Sequence, residues 1–159
     1  MIQALKGEFY MEEKKICARV HSVSISPRRG ELKKEQPSAL FIAGFGIEGD
    51  GHGGDWDRQV TCLSWESVER SNRLHGLSMG PGDFAENVAI EGMDALNLQP
   101  GDRFRLGADV ILEVSQIGKP DHPSIVTRTF GISLLPHEGR FCRIICGGLV
   151  RPGDAVVKL

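Results

Sequence analysis

Pro-Gly-Asp occurs three times in this chain, at Pro81-Gly82-Asp83, Pro100-Gly101-Asp102 and Pro152-Gly153-Asp154. No other feature restricts the fold as much. Proline presets φ at the first central position of a turn and glycine supplies the positive φ of the second, which is type II turn chemistry. The last two tripeptides run directly into β-like segments at 103–106 and 155–159. Further strand candidates are 16–25, 39–43, 59–63, 87–90, 110–117 and 141–146. Short β-rich runs broken by turn signals, with no βαβα rhythm, predict a closed or nearly closed β-barrel rather than a doubly wound sheet.

One helix is signalled. Ser64 can cap it, Glu66 and Glu69 lie near its positive end, Arg70 and Arg73 near its negative end, and Gly76 can stop it. Trp65 and Val68 share a face that can dock on the barrel. The expected fold is therefore mainly β with a few short helices. Residues 1–14 read as an N-terminal extension and 15–159 as one domain, since 159 residues match ~150 per domain. The segment from Ser26 to Lys34 reads as a polar basic loop, either a solvated hairpin tip or an anion-attracting rim.

Charge and cysteine usage exclude several classes. Nineteen Lys and Arg against 21 Asp and Glu leave a net charge of −2, without the basic excess of a nucleic-acid or membrane-surface binder. The longest nearly uncharged apolar stretch, 39–47, is about half the ~20 residues that span a bilayer, and the start shows no signal-peptide pattern. A cytoplasmic protein is expected. Cys17, Cys62, Cys142 and Cys146 form no C-x-x-C pair, which speaks against a zinc knuckle or redox pair and for buried apolar cysteines.

Three segments could carry chemistry. From Gly46 to Gln59 the chain is too rich in glycine and acid for a strand or helix. Such a loop exposes backbone N–H groups to an anion, or offers Asp50 and His52 to a metal, or is purely structural. In Gly80–Val88, Asp83, Glu86 and Asn87 can cap turns or hold a polar ligand. In Gly118–Pro123, Lys119 suits a phosphate, and Asp121 and His122 suit proton transfer or ligation.

The ordered set of these elements resembles the MOSC domain, named for the molybdenum cofactor sulfurase C-terminal region, in its free-standing bacterial type. The resemblance runs from about Ala18 to Leu159. It rests on Gly46-Ile47-Glu48-Gly49-Asp50 with His52, Asp57-Arg58-Gln59-Val60, Asp83-Phe84-Ala85-Glu86-Asn87 and Leu98-Gln99-Pro100-Gly101-Asp102. It continues through Ile117-Gly118-Lys119-Pro120 with His122, Glu138-Gly139, and Gly147-Gly148-Leu149-Val150-Arg151-Pro152-Gly153-Asp154. It implies a β-barrel of the pyruvate-kinase-barrel-like kind with a polar cleft at one end. It also implies association with the molybdenum cofactor, a phosphate-bearing pterin whose dithiolene holds the metal, and a family-level link to pyridoxal phosphate binding.

On that resemblance Gly49, Asp50, His52, Arg58, Glu86, Asn87, Lys119 and Arg128 are the expected cofactor-binding residues, with Asp121 and His122 at the reactive end. The partner would be a molybdoenzyme or a sulfur donor protein. The sulfur chemistry proposed for the family uses a cysteine just after the Gly-Lys-x element, and here that position is Asp121. A carboxylate cannot carry a sulfane sulfur, although it can ligate a hard metal or act as a base. Three readings follow: a cofactor-binding protein acting as enzyme or accessory, a non-catalytic carrier or partner-binding module, and a diverged Asp/His hydrolase.

Overall fold

Each Pro-Gly-Asp tripeptide closes in the same way. Gly82, Gly101 and Gly153 have φ of +83°, +91° and +90°, the positive values that type II turns require. The aspartate N–H returns to the carbonyl of the residue before proline: Asp83 to Gly80 at 3.2 Å, Asp102 to Gln99 at 2.9 Å and Asp154 to Arg151 at 3.1 Å. The aspartate carboxylate then accepts the N–H of that same residue at 2.8, 2.9 and 2.9 Å. Side chain and backbone thus close a ring at every copy.

These turns punctuate eleven strands and three helices in a computed structural model that describes residues 17–159; the expected extension at 1–14 lies outside them. The strands are β1 (Ala18–Ile25), β2 (Lys34–Gln36), β3 (Ala39–Ile42), β4 (Gly46–Ile47), β5 (Val60–Ser64), β6 (Val88–Glu91), β7 (Arg103–Leu106), β8 (Val110–Ile117), β9 (Arg140–Cys146), β10 (Gly148–Val150) and β11 (Ala155–Lys158). The helices are α1 (Trp65–His75), α2 (Ile125–Phe130) and α3 (Leu135–Glu138).

Seven strands close in the order β11-β7-β8-β9-β5-β6-β1, with β1 returning to β11. This is the closed barrel read from the sequence. All its pairs are antiparallel except β5–β6. That parallel pair needs a crossover, which α1 supplies. Ser64 caps α1 by accepting the Ser67 N–H, and Gly76 ends it at φ +63°. A bulge between Val20 and Ser22 bends β1 where it changes partners. A small second sheet, β10-β3-β4, lies beside the barrel.

The residues form two apolar layers. Val60 and Cys62 of β5 and Cys142 and Ile144 of β9 point into the barrel lumen, which is packed with Val, Leu, Ile and Phe. Leu63 and Phe141, one position out of phase, point outward and pack with Val68, Met79, Phe84, Val126 and Leu135 under the helices. Cys62 and Cys142 are buried as expected, whereas Cys17 and Cys146 are exposed. Burial, and then the neighbouring Cys62, push the Cys142 thiol well above its ordinary range. The elements without a sequence signal are the shortest strands, β2, β4 and β10, and the two shorter α-helices, α2 and α3.

Asn87 staples three strands. Its Oδ1 accepts the Thr61 N–H at 3.1 Å and its Nδ2 donates to the Ser24 carbonyl at 3.1 Å, all fully buried. Asn87→Ala would strand a buried donor and a buried acceptor. It should lower unfolding free energy by about 2–4 kcal/mol in urea titrations without altering the denaturant slope.

Candidate functional site

Because the lumen is filled, the pocket forms on the outer wall of the barrel. Thr61 of β5 and Phe141 of β9, register partners across the sheet, line a cavity of about 240 Å³ together with Arg29, His52, Trp56, Arg58, Lys119 and His122. A second lobe of about 260 Å³ shares His52, Lys119 and His122 and extends to Glu31, Arg128 and Ser133. The two lobes form one cleft roofed by loops. It is lateral to the barrel rather than seated in its lumen.

Three loops bring these residues together. The first, Ser26–Lys33, is not a free hairpin tip, because Lys33 is only 3 % exposed. The glycine-rich loop lies directly on it: a Cβ on Gly51 would fall 2.7 Å from the Arg28 carbonyl carbon. Gly51 donates its N–H to the Ser26 carbonyl at 2.8 Å and accepts from Arg29 Nε at 3.2 Å. The rest of the glycine-rich loop is held by alternation. Asp55 and Asp57 reach back to Arg143 at 2.6 and 3.2 Å, while Trp56 and Arg58 line the cleft. Buried Gln59 anchors the far end, donating to the Gly54 carbonyl and accepting the Ile144 N–H.

The third loop follows β8. Gly118, at φ +71°, sits so close to α3 that a Cβ would fall 2.3 Å from the Pro136 carbonyl oxygen. Its N–H donates to Gly139 at 2.8 Å, and the next N–H, Lys119, donates to Pro136 at 3.0 Å. Only glycine fits that approach, and it aims Lys119 into the cleft.

Cations outnumber acids in the lining of the cleft, where Glu31 is the acid. The ion-paired Lys and Arg side chains are Lys33, Arg103, Arg143 and Lys158; Arg58, Lys119 and Arg128 have no ion-pair partner among the described residues. Burial, and then the Arg58 charge, hold the Lys119 ammonium below its ordinary range, while Asp121 partly opposes them. The Arg29 and Arg58 guanidinium carbons lie 4.3 and 5.1 Å from the centre of the Trp56 ring, a cation–π arrangement that orients both.

The structure therefore separates the expected binding residues. His52, Arg58, Lys119, His122 and Arg128 do line the cleft. Gly49, Asp50, Glu86 and Asn87 do not line it. Gly49 is a turn residue at φ +82°, and the other three are buried. Asp121 lies outside both lobes, with Oδ2 3.7 Å from His137 Nε2 and a largely exposed side chain. Arg29, Trp56 and Phe141 had not been singled out. Arg29 stood in the basic loop, and Trp56 is the lone large aromatic among the glycines; Phe141 offered no signal beyond strand alternation.

Comparison with known proteins agrees with the fold. A closed barrel bearing a lateral cationic cleft is the class of protein this structure defines. The MOSC domain family matches residues 48–157, and the chain belongs to that family. An uncharacterised Bacillus subtilis protein, YflK, is 26% identical over 138 residues, covering 78% of this chain and 60% of that protein; the chain thus spans under two-thirds of that relative. The crystal structure of the YUAD protein from Bacillus subtilis is similar at TM-score 0.66 and 21% identity, over 88% of this chain and 94% of that one. YiiM from Geobacillus stearothermophilus gives TM-score 0.70 and 19% identity, over 89% and 75%. YiiM from Escherichia coli gives 0.62 and 22%, over 89% and 69%. These likenesses concern the fold. Among the described residues no helix is long and apolar enough to cross a membrane.

Glu86 supports the site from below. Its Oε2 accepts the Gly82 N–H at 2.8 Å and its Oε1 the Phe84 N–H at 3.1 Å, clamping the loop that presents Ala85 to the cleft at φ +65°. Burial pushes its carboxyl up to about 7; the backbone N–H groups oppose this and Asp83 adds to it. The folded chain thus keeps a proton that the unfolded chain loses above its ordinary value of 4.5. The resulting stabilisation is full below 4.5 and is lost as pH rises through about 7. Glu86→Gln should remove that slope, on the order of 3 kcal/mol, from unfolding curves measured across the same window.

Proposed function

We propose that the cleft binds a phosphate-bearing, flat-ringed ligand of the molybdenum-cofactor kind. The observation that carries this reading is the convergence of Arg58, Lys119 and Arg128, with no ion-pair partners among the described residues, on one cleft of a chain whose net charge is −2. A half-buried lysine held below its ordinary range by burial and an arginine gains stability when an anion arrives. Arg58, Lys119 and Arg128 would hold the phosphate by charge-assisted hydrogen bonds. The guanidinium groups that Trp56 holds in place offer planar cations on which a pterin ring could stack.

The donor set fits the organic part of that cofactor. It does not fit protein-borne sulfur relay, because Cys62 and Cys142 are buried and no cysteine lines either lobe. Among the described residues no three His, Cys, Asp or Glu side chains gather as a metal-binding group. When bound, the cofactor would supply redox or sulfur chemistry at its own metal end. His122, lining both lobes, would face the ligand, and Asp121 would act from outside the cleft by supporting the charge on Lys119. A hydrolytic Asp121–His122 pair has no supporting contact, since the ion-pair contact of Asp121 is with His137.

The test is purification from two hosts, one able and one unable to make the cofactor, with pterin and molybdenum counted per chain. Near-stoichiometric pterin from the competent host alone is the expected result. Protein that stays empty in both, even after incubation with released cofactor, would overturn the reading. Arg58→Ala and Lys119→Ala should each weaken retention at least tenfold, since a hydrogen bond to a charged group is worth about 1.5–3 kcal/mol. Affinity for inorganic phosphate, measured calorimetrically, should fall with rising pH through a midpoint below the ordinary lysine value of 10.5.

A further inference from the structure

Beneath the cleft lies a charged pair that none of the site's chemistry has used. Lys33 Nζ is 2.7 Å from Asp50 Oδ1, with side chains 1 % and 0 % exposed. The same ammonium is 3.1 Å from Ser26 Oγ and 3.1 Å from His52 Nδ1. The Ser26 hydroxyl donates its own proton to the Arg28 carbonyl at 3.0 Å, so its oxygen is free to accept. An ammonium has three N–H groups, and here three acceptors surround it in a place without solvent. Asp50 is held as well, accepting the Ser26 N–H on Oδ1 and the His52 N–H on Oδ2.

This arrangement leaves His52 little choice of tautomer. A proton on Nδ1 would point at the Lys33 ammonium 3.1 Å away, and its alternative acceptor, Asp50 Oδ2, is 3.7 Å distant. The Nδ1 lone pair must instead accept from Lys33, which puts the proton of the neutral ring on Nε2. His52 lines both lobes of the cleft, alongside Lys119, His122 and the Arg29–Trp56 stack.

We propose that the buried Lys33–Asp50 pair is a positioning device that fixes His52 as the Nε2–H tautomer and so presents a neutral hydrogen-bond donor to the cleft. Lys33 and Asp50 cancel in charge and touch no ligand; His52 is the residue through which they act. His52 joins Arg58 and Lys119 as a donor in the first lobe, whose lining holds no carboxylate, and that set matches a ligand group that only accepts, such as a fully ionised phosphoryl group. The tautomer itself is independent of the cofactor reading, and only the match to phosphate rests on it.

Two measurements test the device. Long-range proton–nitrogen correlation spectra of ligand-free, nitrogen-15-labelled protein at pH 8 should show His52 protonated on Nε2 and bare on Nδ1. Protonation on Nδ1 would overturn the proposal whatever the ligand is. In Lys33→Met, or in Lys33→Met/Asp50→Asn where the lone buried carboxylate prevents folding, the two tautomers should mix; an unchanged Nε2–H signal would count against the pair's role. Binding of inorganic phosphate supplies the second arm. His52→Gln, whose amide places N–H groups near the Nε2 position, should keep affinity within about threefold, while His52→Asn should lose about tenfold. The reverse order would overturn the donor role. Wild-type protein that ignores phosphate would overturn the match to an ionised phosphoryl group, with the tautomer still decided by the spectra.

Discussion

A buried ammonium and a buried carboxylate hold the two least regular parts of this chain against each other. Removing each ion from water costs several kcal/mol, and only good geometry with full hydrogen bonding offsets it. The Lys33–Asp50 contact meets both conditions: burial tends to raise the Asp50 carboxyl, but its hydrogen bonds and the Lys33 charge outweigh it and hold the group well below its usual range. Through this contact the basic loop and the glycine-rich loop become one wall of the cleft. Gly51 lying on the Arg28 backbone and the Gly82 carbonyl accepting the Lys33 N–H at 3.2 Å extend the wall on both sides.

The barrel supplies what loops cannot, a surface braced by a packed core. Its lumen is packed with apolar side chains, so ligand space exists only outside, where Thr61 and Phe141 stand on adjacent strands. Loops held on such a scaffold are the usual seat of binding chemistry. Here each loop is tied down by a different device: a buried ion pair, a buried glutamine with an Arg143 clamp, and a glycine seated against α3. The result is a local excess of positive charge on a protein whose overall charge is slightly negative. The two acids of the glycine-rich loop nearest the cleft, Asp55 and Asp57, are spent on Arg143 at the back of the wall.

Much of the frame was legible because its causes are local. The strands at 103–106 and 110–117 match β7 and β8 residue for residue, and the Ser64 and Gly76 signals bound α1 as expected, since caps and turns depend on a few neighbouring residues. Glu86 and Asn87, expected at the ligand, do not line the cleft. Their polarity serves buried backbone groups, and sequence alone cannot tell a buried polar residue from one facing a ligand. Lys33 shows the same ambiguity with the opposite surface expectation: in a run of basic residues it reads as solvated, yet its partner lies seventeen positions away.

What the sequence determined by itself was the turn chemistry, the places of the longer strands, one capped helix and, through the order of its motifs, the family. Those follow from φ preferences and side-chain alternation, which act over a few bonds. Only the tertiary structure decided that the cleft lies on the outer wall, that Arg29, Trp56 and Phe141 belong to it, and that Asp121 does not line it. It also decided that Lys33 orients His52 from beneath. Those outcomes depend on which distant segments meet when the barrel closes, and hydrogen-bond partners buried by that closure carry no mark in the linear chain.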